Sequence, residues 1–71
     1  MNRINPEKLL LSKWTDRNPQ NREKHFIVID LLRDHEETII ACELEAVLSR
    51  RRMRIDWQVL RNNERWQFGW K

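Results

Sequence analysis

The 71-residue chain has one cysteine, one glycine, two prolines and no tyrosine. Each scarcity removes a class of protein. A single thiol, Cys42, cannot close an internal disulfide and cannot furnish a cysteine-rich zinc site. With Gly69 as the only glycine, no glycine-rich loop can cradle a nucleotide's phosphates, and no nucleophile elbow is present. No apolar run approaches the roughly 20 residues needed to cross a bilayer. The opening Met1-Asn2-Arg3-Ile4-Asn5-Pro6 lacks the apolar stretch of a secretory signal. These absences predict a cytoplasmic chain with no membrane association, folded as one domain over residues 1–71.

What is present is unevenly spread. Four of the six aromatic residues are tryptophan: Trp14, Trp57, Trp66 and Trp70. The net charge of +3 hides an acidic middle, where Arg33 stands against Asp30, Asp34, Glu36, Glu37, Glu43 and Glu45. It also hides an arginine-rich end, where Arg50, Arg51, Arg52, Arg54, Arg61, Arg65 and Lys71 outnumber Asp56 and Glu64. Two readings follow. The blocks pair with each other on one folded surface, or the basic block is a footprint for phosphate.

Hydrophobic periodicity points to a sheet. His25 to Arg33 is rich in Phe, Ile, Val and Leu and reads as a strand. Glu37 to Leu48 places Ile40, Cys42, Leu44, Ala46 and Leu48 on one face. Arg51 to Val59 alternates Met53, Ile55, Trp57 and Val59 against Arg52, Arg54, Asp56 and Gln58, and Arg65 to Trp70 aligns Trp66, Phe68 and Trp70. The breaks fall at Asp34-His35-Glu36, Ser49-Arg50 and Asn62-Asn63. Asn5, Pro6 and Glu7 suit the start of a short helix, and Thr15 to Glu23 reads as a polar loop. A turn at Asn62-Asn63 would pair Val59 with Trp66 and Trp57 with Phe68. A turn at Ser49-Arg50 would pair Glu45 with Arg54 or, slipped by two, Glu43 with Arg54 and Glu45 with Arg52. A helix over about residues 36–54 is the rival reading, set against the strict alternation of 51–59.

The expected fold is therefore mainly β: a four-stranded antiparallel meander, open or curled into a small barrel, with a short N-terminal helix across one face. The expected core is Ile27, Ile29, Ile40, Leu44, Met53, Ile55, Trp57, Val59, Trp66 and Phe68. Phe26, Val28, Leu32, Ile39, Ala41 and Val47 would then lie on an outer face. That face needs a cover, either the N-terminal segment with Leu9, Leu10 and Trp14 or a partner.

Candidate sites follow from this placement. Trp57 and Trp66 fill the core, while Trp14 and Trp70 are left nearer solvent, where an indole beside cations suits base stacking with phosphate contact. Arg52 and Arg54 point outward together, with Arg50 beside them, and Arg51 snorkels from the apolar side. His25, His35 and Cys42 are spaced like no compact metal motif. The paired carboxylates oppose arginines, which makes them structural rather than acid–base groups. No metal, cofactor or enzymatic activity is expected.

Four stretches carry a further signal. They are Lys8-Leu9-Leu10-Leu11-Ser12-Lys13-Trp14-Thr15, Lys24-His25-Phe26-Ile27-Val28, Asp56-Trp57-Gln58-Val59-Leu60 and Arg65-Trp66-Gln67-Phe68-Gly69-Trp70-Lys71. Together they resemble a family of small bacterial Trp-rich proteins of unknown function. The resemblance implies a domain of about this length ending just after the last tryptophan, and it implies no activity. It directs attention to Ser12 to Thr15, to Lys24-His25-Phe26 and to Trp66, Gly69 and Trp70. The candidate binding residues are accordingly Lys13, Trp14, Lys24, His25, Arg50, Arg52, Arg54 and Trp70. The expected partner is nucleic acid, gripped by Arg and Lys at phosphate and by an exposed Trp. The alternative is another protein or a second copy seated on the apolar outer face.

Overall fold

A computed structural model describes residues 1–71. The Asn5 side chain accepts a hydrogen bond from the Glu7 N–H, and Pro6 takes the first helical position. Only a 3-10 turn forms, over Pro6–Lys8. It then yields to Leu9, whose side chain is buried in the core. Arg33 holds this turn from the far side with two hydrogen bonds to the Glu7 carboxylate.

Five antiparallel strands follow: β1 (Lys13–Gln20), β2 (Glu23–Arg33), β3 (Ile39–Ala46), β4 (Arg52–Ile55) and β5 (Trp66–Phe68). They form one sheet in the order β4-β3-β2-β1-β5, with β4 and β5 as free edges, so the sheet does not close into a barrel. The mainly β antiparallel class is as the periodicity indicates. The helix reading of 36–54 is overturned, since β3 and β4 occupy that stretch.

Two departures from the four-stranded meander have physical causes. First, the expected polar loop after Thr15 is largely strand β1, closed onto β2 by the tight turn Asn21-Arg22. Second, the chain leaves the sheet after Ile55. Asp56 caps a second 3-10 turn, Trp57–Arg61, by accepting from the Gln58 N–H. That turn carries Leu60 into the core, and β5 then pairs with β1 rather than with β4. The expected Trp57–Phe68 and Val59–Trp66 pairs therefore do not exist, and Val59 and Phe68 are exposed.

The β3–β4 hairpin takes the register slipped by two. Glu43 lies opposite Arg54, Glu45 opposite Arg52, and Leu44 opposite Met53. Irregularities around Ile29 and Ile40 let Val28 and Leu31 of β2 pair with Leu44 and Cys42, which are both core residues. These shifts reverse the expected face of β2. Phe26, Val28 and Ile39 are buried, Ile27 and Ile29 are only partly covered, and Ile40 is exposed. The core cluster is Leu9, Trp14, Phe26, Val28, Cys42, Leu44, Ala46, Leu60 and Trp66, with Met53, Ile55 and Trp57 packed against it. Its cover is intramolecular. Leu9 comes from the N-terminal segment and Leu60 from the second 3-10 turn, and Asn2 ties the two by donating to the carbonyls of Leu60 and Trp66. No helix is long and apolar enough to cross a membrane.

Burial pushes the Cys42 thiol up to about 11 from its usual 9.0, with the nearby Asp56 charge acting in the same direction. Two units at tenfold each give about 100-fold less thiolate at pH 8. Alkylation of native Cys42 by iodoacetamide is therefore expected to run at least that much slower than in urea. Equal rates would show that Cys42 is not held inside the sheet.

Candidate functional site

Two turns at one end of the sheet build the most prominent concavity. Asn21 and Arg22 both adopt left-handed backbone, with φ of 55° and 62°, closing the β1–β2 hairpin. Between β3 and β4 the loop Val47 to Arg50 ends with Arg50 at φ 63°, and its Val47 N–H donates to the His25 carbonyl. The two turns enclose an open cleft of about 460 Å³ lined by Arg22, Lys24, His25, Val47, Leu48 and Arg50. Three side chains carry fixed positive charge, two are aliphatic, and no carboxylate lines the cleft. Arg22 and Lys24 form no ion pair, and Arg50 meets Glu45 only at 3.8 Å with its side chain 81% exposed.

His25 continues this surface toward the C-terminus. Its ring lies 6.0 Å from the Trp70 ring, centre to centre. Gly69, at φ 85°, bends the chain so that its N–H donates to the Lys13 carbonyl and its carbonyl accepts from Thr15 Oγ1. Thr15 Oγ1 in turn accepts from the Lys71 N–H, and His25 Nε2 sits 3.2 Å from the Lys71 carbonyl. Trp70 Nε1–H donates to the Phe26 carbonyl. The Lys13 ammonium lies 4.7 Å from the centre of the Trp70 ring, a cation–π contact. The tail thus buries Thr15 while Trp70 stays 42% exposed.

Five of the eight candidate residues come together on this surface: Lys24, His25 and Arg50 in the cleft, with Lys13 and Trp70 beside it. Three do not. Trp14 is fully buried, because β1 starts at Lys13 and turns Trp14 toward the core, where its Nε1–H donates to Ser12 Oγ. Arg52 and Arg54 lie on β4, outside the cleft; Arg52 Nε–H donates to Glu45 at 3.1 Å, and Arg54 stands opposite Glu43 in the ladder. Arg22 went unseen in the sequence, and Thr15 was pointed to only by the family resemblance, without a role. Arg22 had a readable sign, since it follows an Asn in a turn, but Thr15 joins the site only through the β1–β5 pairing.

A second, smaller cavity of about 40 Å³ lies between buried Asp16 and Glu23. Each acid meets one arginine, Asp16 with Arg65 and Glu23 with Arg51. Hydrogen bonds from Arg51 and then Ser49 hold the Glu23 carboxyl below its ordinary range. These pairs are structural. Arg51 does snorkel to solvent, and its partner is the carboxylate of the neighbouring hairpin. No three His, Cys, Asp or Glu side chains are grouped to hold a metal ion.

Comparison with curated proteins and with solved structures finds no match. A family model described as "Tryptophan-rich protein (DUF2389)" matches residues 12–71, a span that includes all five strands, both sides of the cleft and the Trp70 tail, and the chain belongs to this family of unknown function.

Proposed function

We propose that the protein is a non-enzymatic nucleic-acid-binding module. The observation that carries this reading is the carboxylate-free cleft of Arg22, Lys24 and Arg50, joined through His25 to a half-exposed Trp70. Fixed cations in a cleft with no carboxylate among its walls attract phosphate, and an accessible indole gives a base a stacking surface. Lys13 rides over the same ring on a flexible stem, so it can move onto a backbone phosphate as a base arrives. Arg52 and Arg54 take no direct part, since neither lines the cleft.

Fluorescence anisotropy with short labelled single strands tests the reading. Three phosphate contacts predict a slope of about −2 for log affinity against log salt on single strands, so raising salt from about 50 to 200 mM weakens binding about 20-fold. Trp70→Ala is expected to lower affinity by about 5- to 150-fold, the loss of one stacked base at roughly 1–3 kcal/mol. Arg54→Ala should leave it nearly unchanged. Absence of binding at the lower salt, or equal losses for the Trp70 and Arg54 variants, overturns the proposal.

A further inference from the structure

We infer that the cleft is a receptor for a terminal phosphomonoester, the end group of a nucleotide strand or of a free nucleotide. This rests on the nucleic-acid reading of the same surface and narrows it. Charge is the first argument. A diester phosphate inside a strand carries one negative charge, whereas a terminal phosphate carries about −1.5 to −2 at neutral pH and offers three acceptor oxygens. Three fixed cations around one cleft, with no carboxylate among its walls, match the terminal group better than a passing diester. Two of the three are arginines, whose planar forks suit the oxygens of a phosphate.

Shape is the second argument. A track for a continuous backbone needs only a strip of cations. Here the cations rim a concavity of about 460 Å³, within the roughly 300–1,000 Å³ range of small-ligand sites. Its apolar part is Val47 with Leu48, the latter 75% exposed in the loop between β3 and β4. An exposed aliphatic pair beside three cations gives the face of a terminal sugar or base somewhere to rest while its phosphate meets the charges.

Backbone placement is the third. Arg22 and Arg50 both sit at left-handed φ, near +60°, in the two turns that form the cleft walls. Glycine is the residue such turn positions favour, because a Cβ is disfavoured there. In both turns the chain carries an arginine instead: Arg22 forms no ion pair, and Arg50 forms only a long, exposed one with Glu45 at 3.8 Å. Backbone of this kind clusters at ligand sites; in this fold Leu11 and Glu37 adopt it outside the cleft as well, so it adds to the charge and the concavity and does not replace them.

Left-handed placement also makes the test clean. Arg22→Gly and Arg50→Gly remove charge while relaxing the backbone, so both variants should melt no lower than the native chain. Lys24→Gln, in regular strand, is an independent third variant. The full chain is titrated with end-labelled hexanucleotides that carry or lack a phosphate at the free end, and with adenosine monophosphate and adenosine. The expected result is about tenfold tighter binding of the phosphorylated strand, a preference that each of the three variants reduces severalfold. Equal, salt-sensitive binding of both strands overturns the inference and leaves the nucleic-acid reading standing. Tight binding of adenosine monophosphate over adenosine, with no binding of either strand, upholds the cleft and overturns the strand reading. No binding of strand or mononucleotide overturns both.

Discussion

Trp14→Ala is expected to lower the urea midpoint strongly, by the largest stability loss of any single truncation in the core. Trp14 is 0% exposed and is the largest fully buried side chain. It pairs with Phe26 of β2 on one side and Phe68 of β5 on the other, and its ring lies 4.8 Å from that of Phe68. Truncating a buried tryptophan costs about 3–5 kcal/mol, because the surroundings close only partly over the vacated volume. A stability of about 0.05–0.15 kcal/mol per residue gives a 71-residue chain roughly 4–11 kcal/mol in all. One substitution thus removes about a quarter or more of the total. The loss also falls where β5, only three residues long, is held to the sheet. Urea unfolding followed by far-ultraviolet circular dichroism checks this, with Trp14→Phe as the milder companion that keeps a ring but loses the bond to Ser12. A Trp14→Ala midpoint close to the native one would mean that Trp14 does not anchor the core.

That central role was not legible in the sequence, and the reason lies in β1. Its second half is Asp16-Arg17-Asn18-Pro19-Gln20, residues that favour turns. The structure reconciles this with a strand by leaving a register break between Thr15 and Gln20, so Pro19, which has no N–H to donate, sits where the ladder to β2 is interrupted. Without β1 as a strand, Trp14 stands just before a polar loop, either a part of the N-terminal cover or a candidate for exposure. β2 posed a different difficulty. Phe26 and Val28 on one parity and Ile27 and Ile29 on the other are equally apolar, so alternation could not choose a face. The irregularity at Ile29, together with the cover supplied by Leu9 and Leu60, made that choice.

Where charge added to periodicity, the sequence was far more informative. Glu43 and Glu45 against Arg52 and Arg54 restricted the β3–β4 hairpin to two registers, one of which forms. The alternation of 51–59 takes in Asp56 as one more strand residue, whereas it caps the second 3-10 turn, and that reading misplaces β5 by the full width of the sheet. Arg50 could be singled out from the charge pattern, and Lys24 and His25 from the family resemblance. Their convergence depends on two turns meeting at one end of the sheet, and the closeness of His25 to Trp70 depends on β5 crossing to β1. Long-range connections of that kind leave no local mark in the chain.

The buried Glu23 sets the acid limit of the fold. Its carboxylate accepts hydrogen bonds from the Arg51 guanidinium and from Ser49 Oγ, joining the first hairpin to the second. Those bonds hold its proton affinity below the ordinary carboxylate value of 4.5, and Glu7 is lowered likewise by Arg33. The unfolded chain therefore binds the proton more readily than the folded one. Stability from both pairs is whole above about pH 4.5 and declines as pH falls toward the depressed folded values. Cys42 acts at the other extreme. Its raised thiol favours the folded chain below pH 9, and that contribution fades as pH rises toward 11. Glu23→Gln keeps the side chain's shape but not its charge, and it is expected to lower the melting temperature by several degrees at pH 7, by an amount that shrinks as pH falls below 4.5 toward the depressed folded value. Arg51→Met should be worse than Glu23→Gln at pH 7, because it strands a carboxylate that is only 3% exposed. The double variant should recover part of that difference. Melting curves from pH 3 to pH 7 decide the matter: parallel lines for native protein and Glu23→Gln would remove this ion pair from any account of acid stability.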